Sequence, residues 1–67
     1  MISVRVNGEP RELADATTVR QLLESLGLGV GWVVVEHNGT ALLRHEVESA
    51  VLADGDVVEL VRAVAGG

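Results

Sequence analysis

The sequence predicts one small α+β domain, a mixed sheet of four to five strands with a single main helix laid across one of its faces. Three observations predict it. Apolar residues alternate with polar ones near both ends of the chain, in Ile2, Val4 and Val6 and again in Val58 and Leu60, which is the period of a half-buried strand. Between them, Val19, Leu22, Leu23 and Leu26 recur at the spacing of one helical face. Two Asn-Gly pairs, Asn7-Gly8 and Asn38-Gly39, stand between candidate strands and favour the positive φ values of tight hairpin turns.

The first strand covers Ile2 to Val6, and Asn7-Gly8 returns the chain as a second strand from about Glu9 to Leu13. Turning Leu13 inward also turns Arg11 inward, a register that the sequence does not explain. Thr18 and Gln21 have the spacing of a capping box at the start of the helix, and Gly27 suits a left-handed stop at its end. The run Gly27-Leu28-Gly29-Val30-Gly31 superficially resembles a phosphate-cradling loop. A dinucleotide fingerprint, however, lies between a strand and the helix it opens, whereas this run trails a helix and leads into a strand. It reads as a flexible connector.

Val33, Val34 and Val35 form a β-branched run that ends at Asn38-Gly39, and Thr40 to Leu43 return as a strand that pairs Val35 with Leu42, both inward. The other face of the Val33–Val35 strand carries Trp32, Val34 and Glu36. Arg44 to Ala50 reads as a short, irregular helical turn, and Asp54-Gly55-Asp56 as a further turn. Val57 to Val64 closes the fold, with Val58 and Leu60 inward and Val57, Glu59 and Val61 outward. The helix thus covers one face of the sheet and leaves the other bare. Trp32, Val34, Val57 and Val61 fall on the bare face, either as an interaction patch or as the scattered apolar residues any small protein exposes.

Composition narrows the function. With 67 residues the chain makes one domain that buries about 60% of its unfolded surface, and a catalytic cleft is hard to fit inside it. There is no cysteine, so neither a disulfide nor a thiolate nucleophile is available. Ten acids against five bases give a net charge of −5, and Arg5, Arg11, Arg20, Arg44 and Arg62 are scattered singly. That pattern argues against nucleic acid and for an electropositive protein partner. The longest nearly apolar run, Leu26 to Val35, is far short of the ~20 residues of a membrane span, and no signal peptide is visible, so the expected address is the cytoplasm.

Catalytic constellations are missing. His37 and His45 have no converging acids at metal-ligand spacing; His37 suits an inward strand end and His45 a solvated turn. Ser3, Ser25 and Ser49 lack the context of a nucleophile elbow, and Glu46, Glu48, Asp54 and Asp56 lie in segments that read as solvated turns. What remains is the tail, Ala65-Gly66-Gly67. Two residues without a Cβ make the thinnest thread a polypeptide offers. Residues Val64 to Gly67 extend at most about 13–14 Å, enough to cross the wall of an active site. Taken alone, terminal glycines are better read as frayed, which is common at chain ends.

The run Leu52-Ala53-Asp54-Gly55-Asp56-Val57-Val58-Glu59-Leu60, followed by Val64-Ala65-Gly66-Gly67, resembles the C-terminal half of the ThiS family of sulfur carriers. Thr18-Val19 with Leu22-Leu23 is similar to that family's helix, and Asn38-Gly39 followed by Arg44 to its middle hairpin. Leu43 stands where the family usually has proline, Val47 is the nearest counterpart of an aromatic that often follows the arginine, and His37 occupies a position that is more often aliphatic. The resemblance implies a β-grasp, ubiquitin-like fold with the first and last strands parallel at the sheet centre, a domain over residues 1–64 and a tail over 65–67.

It further implies a protein cosubstrate, not an enzyme. Gly67 would supply its carboxylate for adenylation and conversion to a thiocarboxylate, and Gly66 would thread the channel. Trp32, Val34, Val57, Glu59, Val61, Val64 and Ala65 would meet partners, with Glu59, Asp54 and Asp56 steering the carrier to a basic surface. The implied partners are a ThiF-type adenylating enzyme that consumes ATP, a cysteine desulfurase or other persulfide donor, and thiazole synthase (ThiG). No cofactor, metal, nucleic acid or membrane is expected on the carrier. Carriers for molybdopterin, cysteine or tRNA thiolation share the tail, and a β-grasp interaction module with an idle tail is the alternative of another class.

Overall fold

The computed structural model describes residues 1–62. The chain order is β1 (Ile2–Val6), β2 (Glu9–Leu13), α1 (Val19–Ser25), a 3-10 turn (Val30–Trp32), β3 (Val33–His37), β4 (Thr40–Ala41), α2 (Arg44–Ser49) and β5 (Val57–Arg62). The five strands form one sheet in the order β2-β1-β5-β3-β4, so the last strand lies in the middle. It runs parallel to β1, with Val57 beside Arg5 and Val58 beside Val6, and antiparallel to β3 from His37↔Val58 to Val33↔Arg62. The expected sheet and its parallel first and last strands are therefore present.

Local signals account for most of the elements. Both Asn-Gly turns hold positive φ at both central residues, 50° and 82° at Asn7-Gly8 and 51° and 85° at Asn38-Gly39, which matches the twist of the strands they join. At the start of α1 the Gln21 amide donates to Thr18 Oγ1 at 3.1 Å and the Thr18 amide to Gln21 Oε1 at 3.0 Å, both halves of the capping box. Gly27, at φ 73°, ends the helix as expected.

The core lies between α1 and the sheet: Val4, Val6, Val19, Leu22, Leu23, Val35, Val47, Leu52 and Val58 are buried. Around it Ile2, Leu13, Leu26, Leu42 and Leu60 are half-buried. The segment after α2 is tied to the start of α1, because the Val19 amide donates to the Ala50 carbonyl and the Leu52 amide to the Thr17 carbonyl.

Three expectations are corrected. The return strand expected over Thr40 to Leu43 ends at Ala41. The Leu42 amide still reaches the Val35 carbonyl, as the pairing required, but Leu43 then caps a helix, its amide donating to Glu46 Oε1 at 2.7 Å. Arg44 to Ala50 is accordingly not an irregular turn: Arg44–Ser49 is an α-helix, and it buries Val47. The glycine-rich run joins α1 to β3, as a connector should, and Val30–Trp32 at its end winds into a 3-10 turn. Trp32 therefore sits just before β3 and not on it.

Candidate functional site

Gly66 and Gly67, with Val64 and Ala65 before them, lie outside the described residues. What the structure places is the strand that leads to them. β5 is gripped on both edges, and two turn asparagines add to the grip. Asn7 Oδ1 accepts from the Leu60 amide at 2.7 Å, extending the ladder where β1 has already ended. Asn38 Oδ1 accepts from the Val57 amide at 2.8 Å while its own amide donates to the Val57 carbonyl. Each residue makes its turn and also holds the last strand, and at its end Arg62 is paired with Val33 of β3.

Among the described residues nothing covers the sheet face opposite α1, as expected. Val34 and Val61 are register partners on it, 50% and 58% exposed. One step along, Glu36 faces Glu59, both exposed. Val57, 40% exposed, lies beyond them beside Arg5 of β1. Like charges directly opposite each other destabilise a sheet, and among the described residues no cation pairs with either acid. Arg5 is the nearest candidate by register, but its Nη1 donates to the Gly8 carbonyl at 3.1 Å. The fold gains nothing from this pair.

The expected partner face is thus partly assembled. Val34, Val57, Glu59 and Val61 share it, with Glu36 at its centre. Trp32, 61% exposed, does not continue the strand, because its 3-10 turn carries it over the Gly27–Gly29 segment. A Cβ on Gly29 would stand 2.8 Å from Trp32 Cδ1, so only glycine fits beneath the ring.

At the other end of β5, Asp54 is exposed in its turn as expected, but Asp56 does not behave as a solvated turn residue. Asp56 has a side chain only 13% exposed, and its Oδ2 lies 2.7 Å from His37 Nε2, whose side chain is 21% exposed. Asp56 also accepts from the Ala53 amide at 2.9 Å and from Asn38 Nδ2 at 3.1 Å. Burial works to raise the Asp56 pKa. The hydrogen bonds from His37, Ala53 and Asn38, with the charge of His37, outweigh it and hold the carboxyl below its ordinary value. The inward strand-end position expected for His37 is where the structure puts it. Asp54 Oδ1 accepts from the Ser3 amide at 2.7 Å. Both aspartates therefore fasten the turn before β5 to its neighbours, and Glu59, joined by Glu36, stands on the open face. Arg44 opens α2 with its guanidinium beside Gly31, and His45 is exposed on that helix and not in a turn.

Among the described residues no group of three or more His, Cys, Asp and Glu could hold a metal ion, and no helix is long and apolar enough to cross a membrane. The described residues offer the strand that leads to the tail and an exposed sheet face.

Comparison with known proteins is consistent with this arrangement. The model of the ThiS family matches residues 4–67. A sulfur carrier protein ThiS from Thermus thermophilus is 44% identical over 64 residues, covering 96% of this chain and 98% of that protein. A thiazole synthase from Magnetococcus marinus is 33% identical over 66 residues, which cover 98% of this chain but only 20% of the synthase. The crystal structure of the thiamine biosynthesis protein ThiS from Geobacter metallireducens superposes with a TM-score of 0.83 at 33% identity, covering 98% of this chain and all of that one, and it bears out the β-grasp expectation.

Proposed function

The chain belongs to the ThiS family and is a sulfur carrier of thiamine biosynthesis; from that premise we propose that the α-carboxylate of Gly67 is the group that carries the sulfur. The observation that supports this most is the match to a sulfur carrier over nearly the full length of both chains, with residues 4–67 inside the family match.

A free carboxylate resists nucleophilic attack, because attack adds charge to an anion and must expel oxide. Adenylation by a ThiF-type enzyme removes both obstacles: the carboxylate oxygen attacks the α-phosphorus of ATP, pyrophosphate leaves, and AMP becomes the leaving group. The terminal sulfur of a persulfide, supplied by a cysteine desulfurase system, then attacks the acyl carbon and expels AMP. A thiol cleaves the resulting S–S bond, leaving a thiocarboxylate on Gly67 and a disulfide on the donor. Thiazole synthase takes this sulfur into the thiazole ring. The carrier itself binds no cofactor, and ATP is consumed on the activating enzyme.

In this reading residues 1–64 are the domain and 65–67 the tail, and the chain is a cosubstrate that contributes position while its partners contribute catalysis. Gly66 and Gly67 keep Cβ atoms out of a narrow channel. Val34, Val57, Glu59 and Val61 meet the activating enzyme across the open face, with Val64 and Ala65 continuing that contact. The carrier-like stretch within the Magnetococcus thiazole synthase supports that enzyme as the recipient.

The test is incubation with a ThiF-type enzyme and ATP, reading pyrophosphate release and intact mass. Wild-type protein releases pyrophosphate and gains AMP. A C-terminally amidated protein that releases it equally well refutes the assignment.

A further inference from the structure

The inward register of Arg11 has a structural consequence on the helix side of the sheet. Arg11 pairs with Val4, and Val4 is buried under α1, so both residues belong to the covered face. Yet α1 is only seven residues long, with its C-cap at Leu26. It stops short of the Asn7-Gly8 hairpin and of the end of β5. The uncovered strip is a groove of about 380 Å³, lined by Leu26, Leu28, Val33 and Leu60, each half-buried, with the exposed Arg11 and Arg62 on it. Glu9 stands on the same strip. Among the described residues neither guanidinium forms a salt bridge, whereas Arg20 engages both Glu24 and Glu48. A second hollow, bordered by Leu28 and Trp32, adjoins the same Arg62.

We propose that this groove is a second docking surface, distinct from the open face, and that it receives an acidic, apolar-tipped segment of thiazole synthase. An apolar side chain enters between Leu28 and Leu60, and a carboxylate beside it pairs with Arg11 and Arg62. Charge complementarity selects that chemistry: in a chain of net charge −5, two guanidiniums that form no salt bridge among the described residues border one hollow, with four half-buried apolar side chains between polar edges that include Glu9. Location selects the enzyme. Arg62 is the last described residue of β5, so an occupant of the groove is held beside the point where the tail continues, and a thiazole synthase is the protein found to contain a carrier-like stretch. The inference rests on the sulfur-carrier reading and adds a separate surface for the enzyme that takes the sulfur.

The test titrates purified thiazole synthase with wild-type carrier, Arg11→Glu, Arg11→Lys and Leu28→Ala, with circular dichroism checking each fold. Arg11 is exposed on an edge strand, so its replacement leaves the core untouched. Arg11→Glu should raise Kd roughly tenfold, with Arg11→Lys near wild type. Pyrophosphate release with the ThiF-type enzyme should be unchanged in both, since that contact lies across the sheet. Equal synthase affinity for Arg11→Glu and wild type overturns the docking surface while leaving the carrier reading intact; failure of wild type to be adenylated overturns the carrier reading itself. Self-association of wild-type carrier that Arg11→Glu abolishes would assign the groove to a second copy and likewise overturn the proposal.

Discussion

Replacing Glu59 by Gln should stabilise the fold and slow the carrier, two effects of opposite sign from one carboxylate. Glu36 and Glu59 are register partners on exposed strands, and no described cation offsets them. Directly opposed residues hold their Cβ atoms about 4.5–5.5 Å apart. With the carboxylates about 5–7 Å apart in water-like surroundings, Coulomb repulsion is about 0.6–0.8 kcal/mol, reduced further by side-chain freedom and salt. Glu59→Gln should therefore gain about 0.5 kcal/mol at low ionic strength, or about 2–4 °C in Tm for a domain this small. Glu36→Gln should gain the same, and the double variant no more than either, because each single change already removes the repulsion. In ~1 M salt, where the Debye length is about 3 Å, the gain should vanish. Thermal melts of the four proteins at both ionic strengths measure this, and pyrophosphate release at low salt should be slower in each variant, since steering by the acid pair is lost. Single variants that melt at or below wild type at low salt, or a double variant whose gain is the sum of the two, would refute the reasoning.

Gly66→Ala, or removal of Gly67, should abolish thiocarboxylate formation while leaving the circular dichroism spectrum unchanged; normal loading of either contradicts the role given to the tail. Asp56 has a folded pKa below its unfolded value of about 3.9, so its contribution is complete above that value and is lost as pH falls through the lower, folded one. Urea midpoints should accordingly drop below about pH 4, and Asp56→Asn should flatten that acid limb. Asn38→Gly keeps the turn geometry but removes the acceptor for the Val57 amide, and Asn7→Gly does the same for Leu60; each should cost about 1 kcal/mol in denaturant melts with the slope unchanged.

The parts of this fold that were legible in the sequence are those whose cause is local. The stripe of Val19, Leu22, Leu23 and Leu26, the pairing of Thr18 with Gln21 and the two Asn-Gly turns each act within a few residues, and each stands where the spacing put it. What was hidden depends on residues distant in the chain. Asn7 reaches Leu60 across 53 positions and Asn38 reaches Val57 across 19, so turn chemistry reveals their first task and not their second. Asp56 fits the turn signature of Asp-Gly-Asp, yet its burial arises only when His37 and Asn38 arrive from another hairpin. α2 lacks a Ser, Thr, Asp or Asn cap; the signal that could have found it was Glu46 three residues after Leu43, reaching back to the cap amide. Glu36 was read on the outward face, but its opposition to Glu59 needs the register of β3 on β5. Arg11 looked misplaced because a strand pattern does not show how far a seven-residue helix extends over the sheet.

The most direct test of the central claim is top-down fragmentation of the protein after loading with a ThiF-type enzyme, ATP and a persulfide donor. Replacement of one oxygen by sulfur should appear in every fragment that retains Gly67 and in none that lacks it. A mass gain that maps anywhere else in the chain, or its absence from a protein that still supports thiazole formation, would contradict the account.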